Sequence, residues 1–299
     1  MLKDLELTTI RHADTELILA PRAGGSVVSL RVSGFDILRS GSQEAVANSD
    51  ALGLAAFPLF PFSGRIANGR FSFGSREIIL CPNFPPEPHA IHGQAWQNAW
   101  QLADHSEREA TLIYDHSTNV DEKDWPWPYR ALQRFLLTER GLSLSLSLTN
   151  LGATPMPAGM GWHPYFPKGA ARLSADVTEI WKSGDDMIPE RPAPLDHACD
   201  LRSPRAVSSL DLDNAFGIGE GGSLIDWPNP GLRVRLLAGD ELRHLVVYTP
   251  PGEDYFCVEP TSHAPDAVNS TLPAELTGRR DLRPGATLAT RIELDVEML

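Results

Sequence analysis

Two side chains in this 299-residue chain have the types and settings that proton transfer near neutral pH requires. His163 stands in Gly161-Trp162-His163-Pro164-Tyr165-Phe166, and imidazole is the side chain whose ordinary pKa lies nearest physiological pH. Glu259 ends the apolar run Phe256-Cys257-Val258-Glu259-Pro260, where a carboxylate denied solvent has a shifted pKa, as a general base needs. A carboxylate and an imidazole with separated pKa values supply one base and one acid. Taken singly, His163 reads as a turn histidine bonded to nearby backbone, and Glu259 as the ion-pair partner of an arginine. Chemistry enters only if they have partners.

Several candidates exist. Arg65 sits among aromatics and prolines in Phe57-Pro58-Leu59-Phe60-Pro61-Phe62-Ser63-Gly64-Arg65-Ile66-Ala67-Asn68-Gly69-Arg70-Phe71. There a charge is paired, meets a ligand, or snorkels over the aromatic surface. His89-Ala90-Ile91-His92-Gly93 carries two histidines three apart, but Pro82, Pro85, Pro86 and Pro88 just before them argue against a helix. No cysteine or glutamate cluster nearby completes a metal-ligand set, so a metal is disfavoured. Asp213 in Leu212-Asp213-Asn214-Ala215-Phe216 is either a turn-former or an acceptor for a hydroxyl. In Asp124-Trp125-Pro126-Trp127-Pro128-Tyr129, Trp127 and its neighbours either stack on the apolar face of a sugar or plug a sheet edge.

The elements that must position these residues read as short strands. Leu142, Leu144, Leu146 and Leu148 alternate strictly with Ser143, Ser145, Ser147 and Thr149, a period of two, and His163 lies just past that run. Glu16–Leu19 and Ser26–Val32 flank the Pro21 and Gly24-Gly25 turn, Gly34 predicts a hairpin into Phe35–Leu38, and Asn68-Gly69 predicts a turn into Arg70–Phe73. Residues 183–206, rich in Pro, Asp and Arg, predict a long surface excursion. Leu232–Leu236 and Leu242–Tyr248 predict a hairpin around Gly239-Asp240, and Thr290–Val296 a last alternating strand. With no βα alternation, glycine-rich phosphate loop, fixed repeat or long amphipathic helix, the expected class is all-β, a sandwich or barrel in one domain over residues 1–299.

The net charge of −13, without clustered Lys/Arg, excludes nucleic acid as a partner. Cys81, Cys199 and Cys257 are odd in number and far apart, the pattern of reduced thiols. The charged start Met1-Leu2-Lys3-Asp4-Leu5-Glu6 lacks the apolar segment of a signal peptide, and no run approaches the ~20 apolar residues of a membrane span. The expected compartment is the cytoplasm.

Taken together and in order, these stretches resemble the motifs of the aldose 1-epimerases (galactose mutarotases). The Pro61–Phe71 stretch is similar to that family's arginine motif, His89–Gly93 to its His-Gly loop, Gly161–Phe166 to its central His-Pro-Tyr-Phe-type motif, Leu212–Phe216 to its aspartate motif, and Val258-Glu259-Pro260 to its catalytic glutamate. Leu282-Arg283-Pro284-Gly285 resembles the family's ending before its last strand. Two departures are visible: Gly64 stands where many members carry Asn, and the surroundings of His163 resemble a divergent bacterial branch.

The resemblance implies a large antiparallel β-sandwich with an open sugar cleft. It implies Glu259 as general base at the anomeric hydroxyl and His163 as general acid at the ring oxygen, with His92 near both and Arg65 and Asp213 on ring hydroxyls. Tyr165 and Trp127 are expected beside them. The implied substrate is a free hexose or pentose, no cofactor or metal is needed, and the chain is expected as a monomer or homodimer that binds neither nucleic acid nor membrane. Two alternatives share the fold: a hexose 6-phosphate mutarotase, which would draw on Arg130, Arg134 and Lys123, and a non-catalytic sugar-binding or sugar-sensing protein. A lyase or hydrolase is weaker, because no second carboxylate accompanies Glu259.

Overall fold

The computed structural model describes residues 7–118 and 124–299. Strands hold 51% of the chain and helices 8%, so its backbone polar groups are satisfied mainly between strands. The alternating leucine segment shows why. Gly141–Asn150 forms one strand between Tyr129–Thr138 and Thr287–Met298, with Leu142, Leu144, Leu146 and Leu148 all at 1% exposure or less. Burying one face while the serines meet neighbours or solvent fixes the register, because a slip of one residue would turn every leucine outward.

Among the described residues the strands make one 18-stranded sheet and three two-stranded ribbons. From the Asp213–Trp227 strand, one arm of the sheet runs through Leu232–Ala238, Thr287–Met298, Gly141–Asn150, Tyr129–Thr138, Glu109–His116 and Gln101–His105. The other arm runs through His244–Tyr248, Tyr255–Thr261, Gly161–Pro167, Ala56–Leu59, Ser26–Val32, Thr15–Ala20 and Thr8–His12. Every one of these pairings is antiparallel. The two arms approach one another where the Arg11 amide donates to the Glu107 carbonyl, so the sheet nearly closes around a principal core reaching from Ile10 to Val296. The all-β expectation holds.

Two local expectations do not. The segments Leu232–Ala238 and His244–Tyr248 are not a hairpin; each pairs with a different half of Asp213–Trp227, Ser223–Trp227 with the first and Asp213–Gly217 with the second. The glycine-rich middle, Gly217–Gly222, bulges against the Arg172–Ser183 strand, where Asp176 accepts from the Gly221 amide. One strand thereby serves two neighbours in series. His163, for its part, lies inside a strand of its own, Gly161–Pro167, rather than in a turn. Residues 183–206 are an excursion that includes a strand, Pro189–Ala193, paired back onto Arg172–Ser183. All three cysteines are free thiols, and no helix among the described residues is long and apolar enough to cross a membrane.

Candidate active site

Strand registers assemble the cleft. Gly161 opposes Thr261 and Tyr165 opposes Cys257, which sets His163 opposite Glu259. On its other side His163 opposes Phe57, while Glu259 opposes Val246 and Val246 opposes Ala215. Phe57, His163, Glu259, Val246 and Ala215 thus form one row across five strands. Two residues along, Tyr165, Cys257, Tyr248 and Asp213 form a second row on the same face. All of these except Cys257 line a cavity of about 280 Å³. Pro164 and Pro260 have no N–H to donate, and the ladder lapses between Gly161 and Tyr165.

His163 and Glu259 meet at the floor of this cavity. Nε2 of His163 is 3.4 Å from Oε1 of Glu259, and the two residues are 8% and 2% exposed. Among the described residues His163 Nδ1 and Glu259 Oε2 have no hydrogen-bond partner, a costly arrangement for buried polar atoms unless a ligand completes it. Phe57 stacks on the imidazole with centroids 4.5 Å apart, and Tyr165 lies 4.7 Å away on a tilted plane. Arg39 caps Tyr165 and Tyr255 from behind, 4.0 and 4.6 Å from their ring centres.

Burial pulls the His163 imidazole down to about 3, with Arg39 adding to the effect. Burial, and then the Asp213 charge, push the Glu259 carboxyl well above its usual range against the pull of Arg65. Both shifts favour a pair with no net charge: the two directions place its one proton on Glu259 at rest, and the form with that proton on His163 is the other neutral arrangement. Adding a second proton or removing the only one leaves a net charge on the buried floor. For a reaction that uses this pair, the acid limb of the rate moves below the pair's ordinary values and the alkaline limb above them. With ordinary values of 4.5 and 6.5, a base-plus-acid pair would keep about a tenth of its rate at pH 7.5. We expect kcat/KM at pH 7.5 to stay within about twofold of its value at pH 5.5, and a tenfold fall would break the one-proton description.

His92 and Arg65 arrive from loops tied together by the Arg65–Ile66 and Ala90–Ile91 ribbon, in which Arg65 opposes Ile91. His92 and Gly64 exchange two bonds: the His92 amide donates to the Gly64 carbonyl, and the Gly64 amide donates to His92 Nδ1 at 3.1 Å. Nδ1 is therefore an acceptor and the ring proton sits on Nε2. Burial, with His163 and Arg65 near, holds His92 neutral, its pKa well below the usual imidazole value. His92 has φ +60, a left-handed conformation uncommon for a residue with a side chain. Gly64 has φ +61, and a Cβ there would meet nothing closer than 3.5 Å. Asn also tolerates that conformation, so the Gly-for-Asn departure has a simple conformational account.

Arg65 lies 3.5 Å from Glu87 and 3.9 Å from Asp213, with its Nε otherwise unpartnered. The Asp213 pKa is raised by burial, opposed by Arg65 and reinforced by Glu87. The fold thus brings His92, Arg65, Asp213, Tyr165, His163 and Glu259 to one cavity.

Trp127 is not among them. It is 2% exposed and packs on Phe71, Phe73 and Trp125, with Arg76 over its face at 5.6 Å. Flanked by Pro126 and Pro128, it plugs the Arg70–Phe73/Arg76–Ile79 hairpin instead of facing a ligand. The aromatic wall of the cleft is Phe57, Trp96, Tyr248 and Tyr255, with Trp96 stacked on Phe57 at 5.2 Å. Tyr255 was legible in principle, standing four residues before Glu259 on the same strand face. Phe57, Trp96 and the arginine partner Glu87 carried no local signal.

The profile of the aldose 1-epimerase family matches residues 6–295. An uncharacterized Escherichia coli (strain K12) protein, YphB, is 30% identical over 99% of this chain and 100% of its own length. A solved Escherichia coli K12 structure is 29% identical with TM-score 0.87, covering 98% of this chain and 99% of that one. A galactose mutarotase-like protein from Clostridium acetobutylicum has TM-score 0.89 over 99% of both chains at 20% identity, which carries the fold alone. With that profile covering nearly the whole chain and His163, Glu259 and their neighbours gathered in one cleft of that fold, the chain belongs to the aldose 1-epimerase family.

Proposed function

We propose that the protein is a mutarotase that interconverts the α and β anomers of a neutral free aldose by proton transfer alone. The observation that carries this reading is the buried, mutually opposed His163–Glu259 pair at 3.4 Å on the cavity floor. Glu259 takes the proton of the anomeric hydroxyl while His163 protonates the ring oxygen and the C1–O5 bond breaks. Rotation about C1–C2 and reclosure through the reverse transfers give the other anomer. A proton leaves the His163 side and one arrives at the Glu259 side, so the pair keeps its single proton throughout. Each positioned group supplies about 10²–10⁴-fold, enough for a reaction already facile in water. His92 offers its Nε2–H to the oxygens at the anomeric end, and Arg65 and Asp213 hold ring hydroxyls.

Size and charge support a single neutral sugar. A cavity of about 280 Å³ lies at the lower edge of small-molecule sites, roughly 300–1,000 Å³. Among the described residues Arg65 is the one Lys or Arg that lines it, with Glu87 and Asp213 beside the guanidinium. Arg130 and Arg134 do not supply a phosphate site, being exposed and bound to Asp115 and Glu109; Lys123 lies outside the described residues. A purely sugar-binding protein has no use for a buried acid–base pair with unmet polar atoms.

Polarimetry on freshly dissolved α-D-glucose and α-D-galactose, followed by NMR anomer exchange on pentoses, tests the reading. Acceleration that vanishes in Glu259→Gln supports it; silence across the panel favours sugar binding without chemistry. Arg65→Ala is expected to raise KM about 10–100-fold while kcat falls much less, because a charged hydrogen bond to substrate is lost in ground and transition states alike. An unchanged KM would make Arg65 a structural residue.

A further inference from the structure

We propose that the cavity floor also binds a thiophilic divalent cation, with Zn²⁺ as probe, through His163, Cys257 and Glu259, and that occupancy stops proton transfer. The inhibition clause rests on the mutarotase reading; the binding clause does not. Cys257 plays no part in the proposed transfers and is fully buried, and the bland account is a small apolar filler beneath the cleft. Its position argues for more. Tyr255, Cys257 and Glu259 alternate along the Tyr255–Thr261 strand, so the thiol faces the same side as the carboxylate. One ligand atom from each of His163, Cys257 and Glu259 lies within 4.8 Å of the other two.

The spacing fits a metal better than it fits a hydrogen bond. Nε2 and Oε1 are 3.4 Å apart, long for a strong charge-assisted contact, yet two donors held about 2.0–2.1 Å from a tetrahedral ion are separated by about 3.4 Å. Glu259 Oε2 and His163 Nδ1 are buried with no partner among the described residues, so ligation would not break a bond of that oxygen or rotate the ring away from one. Nitrogen, sulfur and a single carboxylate suit zinc, whereas calcium takes six or more oxygens and magnesium an octahedral shell. Three protein ligands leave the fourth position open toward the cavity.

Charge balance is satisfied. The resting floor holds a thiol and a pair sharing one proton, neutral overall. Binding Zn²⁺ releases both protons to solvent and forms Zn–S, Zn–N and Zn–O bonds to a thiolate, a neutral imidazole and a carboxylate, again neutral. Since metal competes with protons, two released protons make the apparent affinity rise about 100-fold per pH unit while both remain bound in the free protein. The ion occupies the base and the acid together.

The test uses the full chain. Co²⁺ titration of the wild type is expected to give a thiolate-to-cobalt charge-transfer band, and calorimetry with ZnCl₂ one site per chain; Mg²⁺ and Ca²⁺ should give neither. Cys257→Ala, and Cys257→Ser as a second replacement, should abolish the band and leave anomer exchange without metal unchanged. Their Zn²⁺ inhibition should weaken by at least the about 10–100-fold that loss of a supporting contact alone costs. No cobalt band in the wild type, or equal zinc inhibition of wild type and of whichever variant shows a cooperative melt, overturns the site. The cobalt band is read without turnover, so a failed mutarotase reading is distinguishable from a failed metal site.

Discussion

Glu259→Gln and His163→Asn are each expected to lower kcat for anomer exchange by about 10²–10⁴-fold, and the double variant to be no slower than the worse single. In the proposed mechanism one proton circulates through both groups, so breaking either end stops the circuit, and a second break removes nothing that still works. Groups that act as a unit lose rate non-additively. Saturation-transfer NMR on the three variants reads the outcome directly, and losses that multiply would show two independent devices. Glu259→Gln keeps the side chain's shape, and Glu259 Oε2 has no partner to lose among the described residues, so that variant's fold should lose little. His163→Asn shortens a buried, stacked ring, so melting temperatures serve as the control. Near-normal rates in both single variants would remove the assignment altogether.

Gly93→Ala should be among the most damaging small changes in the molecule. Gly93 has φ +66, and a Cβ there would stand 1.9 Å from the Phe60 carbonyl oxygen. The left-handed strain and the clash with backbone together should cost about 3–5 kcal/mol, a large part of an ordinary domain's stability. Gly34 provides the comparison: φ is +81, but nothing lies within 4 Å of a Cβ there. Gly34→Ala should cost only the conformational part, about 1–2 kcal/mol. Equal losses in chemical denaturation would mean that the Phe60 approach relaxes freely. The damaged site adjoins His92, so Gly93→Ala should also cut activity in whatever fraction remains folded.

Much of the site was legible because its residues sit in short, chemically odd strings: a histidine before proline, a glutamate after apolar residues, an arginine among aromatics. Their convergence was not legible, since it depends on four strand registers, two of which join segments about a hundred residues apart. Trp127 shows the limit. A tryptophan between prolines satisfies a sugar platform and a hairpin plug equally well, and only the packing of Phe71 and Phe73 decides. The supposed hairpin at Gly239-Asp240 failed for a related reason. Turn residues announce a reversal, but the partner was a long strand whose glycine-rich middle does not look like one. Phe57, which stacks on His163, and Trp96, which stacks on Phe57, gave no signal, because aromatic residues in proline-rich stretches are common in any core.

The lapse in the ladder at Pro164 and Pro260 also bears on how the chain is made. His163 and Glu259 are 96 positions apart, which at 5–20 residues per second is about 5–20 s of synthesis. Through that interval the Gly161–Pro167 strand can settle against Ala56–Leu59, which left the ribosome earlier, while its other side waits unpaired. A waiting strand is a template for the wrong neighbour, including the same strand of another nascent chain. Pro164 removes a donor from that exposed side, since the Tyr165 amide next to it points the other way, to the Ala55 carbonyl. The proline that helps interrupt the ladder between His163 and Glu259 in the finished cleft also blunts the half-built one until its proper partner emerges.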